Sequence, residues 1–300
     1  MKTAFVVYAH ADAEAAKKFL DDFGLTVKEE EANGDRFYEG YGPEPFCYWF
    51  KKATDGQPSS FGGAAYVVES RDELEKAAKV KGAEGIKPLE TPGGGEICTV
   101  KDPFGFHVHF IYGDAWIREE PDKDSRPVPE FVKHTVNFEF EEEKPRKGKF
   151  LRLEPGPAPV HRWGHYGFTY PPGQHDAVYK FYTDNFALAP SDQLFRPKED
   201  GEKETVVTFF HIDRGEDYTD HHCFFIKPAK DGNQPSVAHS AFEVHDFDVQ
   251  QLGHQHLTAK GYEICWGVGR HILGSQVFDY WFDTSKNVLE HYCDGVSIVH

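Results

Sequence analysis

The chain has 300 residues, more than one typical hydrophobic core needs, so two domains are expected. Its 33 Lys and Arg against 50 Asp and Glu give a net charge of −17, which repels polyphosphate and anionic lipid and argues against nucleic-acid or membrane-surface partners. No apolar run approaches the ~20 residues of a membrane span, the N-terminus lacks signal-peptide zones, and five scattered cysteines contain no C-x-x-C, so a soluble, cytoplasmic protein with reduced thiols is expected.

In chain order, residues 3–9 read as a strand running into a helix capped near Asp12. Ala15, Ala16, Phe19, Leu20 and Phe23 form that helix's apolar stripe, and Gly24 is its expected stop. Extended segments follow, including the aromatic FCYWF at 46–50. GGAAYVVES (62–70) opens a second unit, with a helix from Asp72 and closing strands through DPFGFHVHFIYG. In the second half GHYGFTY (164–170) is a strand, and residues 177–186 form a helix with Val178, Phe181, Tyr182 and Phe186 on one side. Strands around VVTFFHI and HHCFFIKP lead to AHSAFEVHD (238–246), a helix over 248–260 and a closing hairpin.

The halves align internally: GHYGFTY with KTAFVVY, AHSAFEVHD with GGAAYVVES, and DTSKNVLEHY with DPFGFHVHFI. The expected fold is therefore α+β, with four βαβββ modules paired into two tandem domains. The first covers residues 1–115 and the second 161–300. A charged, Pro-rich stretch over 116–160 is expected to act as an extended linker that wraps one domain.

Thirteen of the 17 histidines follow residue 160, which directs attention to the second half. His254 and His256 are explained as exposed polar residues on a helix. The internal alignment sets His165 opposite Thr3, His239 opposite Gly63, and Glu290 opposite His109. Only the second half then carries two imidazoles and a carboxylate, the set that leaves open positions on a non-haem Fe(II) ion. In the first half, His107 and His109 alternate as in a strand, so only His109 faces inward, and one imidazole is a poor metal site. The TPGGGE loop at 91–96 lacks the Lys-Ser/Thr of a phosphate cradle.

At the C-terminal end the chain reads Gly269-Arg270-His271, then Tyr280 nine residues on and Glu290 ten further. With these residues the chain resembles the two-domain extradiol ring-cleaving dioxygenases of the vicinal oxygen chelate superfamily. The resemblance covers nearly the whole chain in architecture and the second half in motif. It implies that each domain is an incompletely closed barrel and that the first is metal-free. It implies His165, His239 and Glu290 as iron ligands, with His271 and Tyr280 hydrogen-bonded to substrate. It also implies an acid–base His shortly before the second ligand, which His222 fits best, with the neighbouring His221 as the alternative.

A hairpin folding about Ser285 would place Tyr280 across from Glu290 on one face. The chain departs from the family at Asp279, where an aliphatic residue is usual, and at Thr284-Ser285-Lys286, where Pro-x-Gly is usual. Asp279 is expected to point away from the metal. His245 and Trp281 are read as structural or pocket-edge residues.

The implied activity is cleavage of a catechol-type or trihydroxylated aromatic by O2, next to its diol, with Fe(II) or alternatively Mn(II) and no organic cofactor. The expected partners are that small aromatic diol and O2, and a homo-oligomer is expected. Two further readings remain: a metal-dependent isomerase, lyase or hydrolase of the same superfamily, and a non-catalytic protein that binds an aromatic ligand.

Overall fold

The computed structural model describes residues 1–118, 148, 150, 152–198, 201–230 and 232–299. Most of the expected linker, at 119–147, 149 and 151, lies outside them. The first module comprises β1 (Lys2–His10), α1 (Ala13–Phe23), β2 (Thr26–Glu30), β3 (Arg36–Glu39) and β4 (Tyr48–Lys52). The second comprises β5 (Ser60–Val67), α2 (Arg71–Ala77), β6 (Ala83–Pro88), β7 (Glu96–Lys101) and β8 (His107–Tyr112). The third runs through β9 (Val160–Tyr170), α3 (His175–Asn185), β10 (Leu188–Pro197), β11 (Lys203–Ile212), a short β12 (Thr219–Asp220) and β13 (Phe224–Pro228). The fourth holds β14 (Val237–Val244), α4 (Phe247–Ala259), β15 (Ile264–Arg270), β16 (Val277–Phe282) and β17 (Val288–Cys293), followed by a short β18 (Ser297–Ile298).

Each pair of modules builds one eight-stranded mixed sheet. The strand orders are β2-β3-β4-β1-β5-β8-β7-β6 and β10-β11-β13-β9-β14-β17-β16-β15, the same pattern twice. The first strands of the two modules pair antiparallel at the centre, and neither sheet closes on itself. This is the expected α+β duplication.

Local sequence explains the helix ends. Asp12 caps α1 by accepting from the Ala15 N–H, and Asp246 caps α4 by accepting from the Val249 N–H. Gly24 ends α1 in the left-handed conformation at φ 108°, where a Cβ would also collide with the Ala158 carbonyl. His254 and His256 are not simply exposed. His254 Nδ1 lies 3.0 Å from the buried Asp279 Oδ1, and His256 Nε2 lies 2.9 Å from Asp22 Oδ1 on α1.

One apolar core runs through both halves, with Phe19, Tyr48 and Phe110 in the same cluster as Phe168, Phe224 and Trp281. Buried polar contacts cross the same boundary: Tyr8 OH to Ser240 Oγ at 2.7 Å, Tyr182 OH to Asp102 Oδ2 at 3.1 Å, and His291 Nε2 to the Phe23 carbonyl at 2.8 Å.

Candidate metal centre and its pocket

β9, β14 and β17 are neighbours in the second sheet, with β14 between the other two. Ala241 pairs with His165 on one side and Glu290 on the other, so these two stand at one level. His239 lies two residues from Ala241 and shares its face by strand alternation. His165 Nε2 is 3.2 Å from His239 Nε2 and 3.1 Å from Glu290 Oε2, and His239 Nε2 is 3.1 Å from the same oxygen. Among the described residues, no other three His, Cys, Asp or Glu side chains converge in this way.

Bonds of about 2.1 Å meeting at right angles separate their donors by about 3.0 Å, and tetrahedral angles separate them by about 3.4 Å. The observed triangle of 3.1–3.2 Å is nearer the face of an octahedron. Burial tends to raise the Glu290 carboxyl, but hydrogen bonds from His165 and His239 outweigh it and hold the group at about 2. Burial pushes His239 down to about 4. Near neutral pH the cluster is thus a carboxylate with a neutral His239, a donor type suited to a divalent cation. Glu290 Oε1 and His165 Nδ1 are buried without hydrogen-bond partners. An unpaired buried polar atom costs about 1–3 kcal/mol, and a bound cation would offset that cost for the carboxylate. The residues present fit a divalent metal.

Aromatic and imidazole groups surround the cluster. The His222 ring centroid is 4.2 Å from that of His165, and burial followed by the neighbouring histidines holds its pKa well below the usual imidazole value. His221 and His222 precede β13 in a bend, so strand alternation does not separate them; both are buried. Their Nδ1 atoms lie 3.1 Å apart, and His221 turns its Nε2 toward Asp192, away from the cluster. His271 Nε2 and Tyr280 OH share a hydrogen bond of 2.9 Å. Tyr280 pairs directly with Glu290 in the β16–β17 ladder, the register expected from a turn at Ser285. Burial and the Glu290 charge push the Tyr280 phenol well above its usual range.

Asp279 points away from Glu290 as expected, yet it is fully buried and accepts from Trp281 Nε1 at 2.7 Å. Trp281 is therefore a core residue. His245 sits beside Asp246, and His161 bonds Glu243. Tyr292, on the interior face that the hairpin register predicts, lies 5.2 Å from His165; two further neighbours are not marked by the sequence, Trp266, which stacks on Tyr280 at 5.8 Å, and Phe225, 4.7 Å from His239. Strand alternation from Tyr280 and Glu290 points to Tyr292, but nothing local marks Trp266, because β15 reaches Tyr280 only through sheet pairing.

The equivalent face of the first sheet is filled. Strand register sets Phe5, not Thr3, in the place of His165: Phe5 pairs with Ala65 as His165 pairs with Ala241. The irregular pairing beside Phe5 recurs beside His165, so the two strands match at a constant offset and Thr3 is the equivalent of Trp163. Phe5 packs on Phe46 at 4.5 Å and on Trp116 at 5.5 Å. Gly63, equivalent to His239, has φ 127°, and a Cβ there would collide with the His109 ring. His109 Nδ1 lies 2.9 Å from Thr99 Oγ1 and Nε2 lies 3.1 Å from the Gly62 carbonyl, so both ring nitrogens are already engaged.

Two duplicated sheets of βαβββ modules, with a His–His–carboxylate cluster on one of them, define a two-domain protein of the vicinal oxygen chelate fold. Solved structures share this fold. The Mn(II)-bound glyoxalase from Novosphingobium aromaticivorans superposes with a TM-score of 0.74 at 21% identity, covering 99% of this chain and 83% of its own. The 2,3-dioxygenase LapB from Pseudomonas sp. KL28 gives a TM-score of 0.74 at 13% identity, with 99% and 93% covered. Homoprotocatechuate 2,3-dioxygenase from Brevibacterium fuscum gives 0.72 at 16% identity, with 99% and 81% covered. In sequence, metapyrocatechase 2 of Cupriavidus necator is 30% identical over 115 residues, which span 38% of this chain and 31% of that relative. No family model matches the chain. No described helix is long and apolar enough to cross a membrane.

Proposed function

We propose that the protein is an extradiol dioxygenase that cleaves a catechol-type or trihydroxylated aromatic with O2, using Fe(II) held by His165, His239 and Glu290. The observation that carries this reading is the cluster itself: two imidazoles and one carboxylate at 3.1–3.2 Å on an open sheet, beside the His271–Tyr280 pair. Such a metal supplies adjacent open positions for the diol and for O2. The chain's own groups do the rest. His222, against His165, takes a proton from the diol hydroxyl and returns it to product. The Tyr280 phenol and His271 imidazole, already bonded to each other, present a polar edge to the diol and its ring-opened form. Phe225, Phe278 and Trp266 supply apolar walls for a planar ring. In this reading residues 161–300 form the catalytic half and residues 1–115 are a metal-free support.

The likeness to a Mn(II)-bound glyoxalase favours metal-dependent isomerisation as the second reading. Anaerobic reconstitution with Fe(II), then exposure to a panel of catechols in air, separates the two. Stoichiometric O2 uptake with a yellow ring-fission product is the expected result. Metal-dependent turnover of a non-aromatic substrate without O2 uptake would replace the dioxygenase reading with the isomerase.

A further inference from the structure

The open face that holds the cluster carries an unpaired cation at its edge. β13 pairs with β9 so that Phe225 meets Gly167 and Lys227 meets Thr169. The Phe225 ring faces the cluster, 4.7 Å from the His239 ring. Alternation puts Lys227 on the same face, about 6–7 Å further along the strand. The facing wall is β15, where Trp266 is 58% exposed while its ring lies 4.3 Å from Phe278 and stacks on Tyr280 at 5.8 Å. In the sheet β13 and β15 are separated by β9, β14, β17 and β16. Lys227 and Cys265 of β15 nevertheless influence each other electrostatically, as do Lys227 and His239, so the curved sheet brings Lys227 across the groove from β15.

The nearest charge to Lys227 is of its own sign. Burial, then the nearby charge of Lys230, lowers its pKa, and no carboxylate contributes. Several cations of the second half have carboxylate partners: Arg162 with Glu243 and Asp220, Arg270 with Asp294, and Lys286 with Glu263. Among the described residues Lys227 makes no ion pair, although the chain carries a net charge of −17. Lys227 is exposed, so its ammonium stands at the open rim of the groove without a counter-ion, where it is suited to an anion that arrives with the ligand.

We propose that Lys227 is a specificity determinant that pairs with a carboxylate borne by the aromatic substrate at the end remote from its diol, while Trp266 lies along the ring. This rests on the aromatic-diol reading of the pocket, so its test is built to fail separately. The full chain is loaded with Zn(II), which is redox-inert, and titrated with homoprotocatechuate and with its methyl ester, following tryptophan fluorescence. The wild type is expected to bind the acid roughly five-fold more tightly than the ester, a preference that shrinks with added salt. Lys227→Gln is expected to remove that preference and Lys227→Glu to reverse it. With Fe(II) in air, the ratio of kcat/KM for acid over ester should fall in parallel. A preference that survives in Lys227→Gln, no preference in the wild type, or no binding of either compound overturns the proposal. A Lys227-dependent preference on the Zn(II) protein without ring cleavage by the Fe(II) protein would instead retain the anion site and sink the dioxygenase assignment.

Discussion

Glu290 is fully buried, and one of its carboxylate oxygens has no donor. A group so placed is costly to fold around unless something positive meets it. Glu290→Ala removes that cost together with a ligand. The expected outcome is a folded protein by circular dichroism whose divalent-metal affinity falls by about 100-fold or more, read by anaerobic titration calorimetry. Metal affinity within a few-fold of wild type would remove Glu290 from the site. At this scale the hairpin register is legible: a turn at Ser285 sets Tyr280 opposite Glu290, and the ladder has that pairing. The sequence is illegible where a side chain's partner is remote. Asp279 reads as an outward residue in a hairpin, but α4 covers that face and His254 meets it at 3.0 Å.

At the scale of elements, the turn between β16 and β17 runs through Thr284-Ser285-Lys286, and its contacts explain the serine. Asp283 Oδ1 accepts from the Ser285 and Asn287 N–H groups, which closes the turn. Ser285 Oγ then lies 2.8 Å from His10 Nδ1 and 3.0 Å from Ser59 Oγ in the other domain. His10 Nε2 meets Tyr48 OH at 2.8 Å, so the imidazole is engaged on both sides. Ser285→Ala leaves the buried His10 Nδ1 unpaired and is expected to cost about 1–3 kcal/mol in urea unfolding. Burial pushes His10 from 6.5 down to about 4. The folded state therefore binds the proton less readily than the unfolded chain. The His10 contribution is whole above pH 6.5 and is lost as pH falls from there toward 4. His10→Gln is expected to flatten the fall of the urea midpoint across that window. An unchanged slope would show that His10 does not titrate there.

At the scale of the molecule, the two halves share one core and several buried hydrogen bonds, which favours cooperative unfolding. A metal that binds only the folded cluster stabilises by mass action, about 3 kcal/mol at a hundredfold excess over Kd. Anaerobic Fe(II) should accordingly raise Tm by several degrees in a single calorimetric transition, and Glu290→Ala should abolish the rise. A metal-dependent shift confined to one of two separate transitions would show that the halves unfold independently.

The duplication was readable from the chain because a repeated fold repeats its apolar rhythm, and strand and helix periods survive in linear order. The three candidate ligands could be named for the same reason, since they begin or end repeated units. Register decided what alignment did not. Pairing across the sheet makes Phe5 rather than Thr3 the equivalent of His165, and a shift of two residues leaves a strand's alternation unchanged, so the sequence pattern does not record it. Curvature decided the rest. Trp266 and Lys227 lie on strands separated by four others, and only the rolled sheet sets them on facing walls of one groove. Sequence pattern determines which face of a strand is buried; the pairing and bending of strands determine what that face meets.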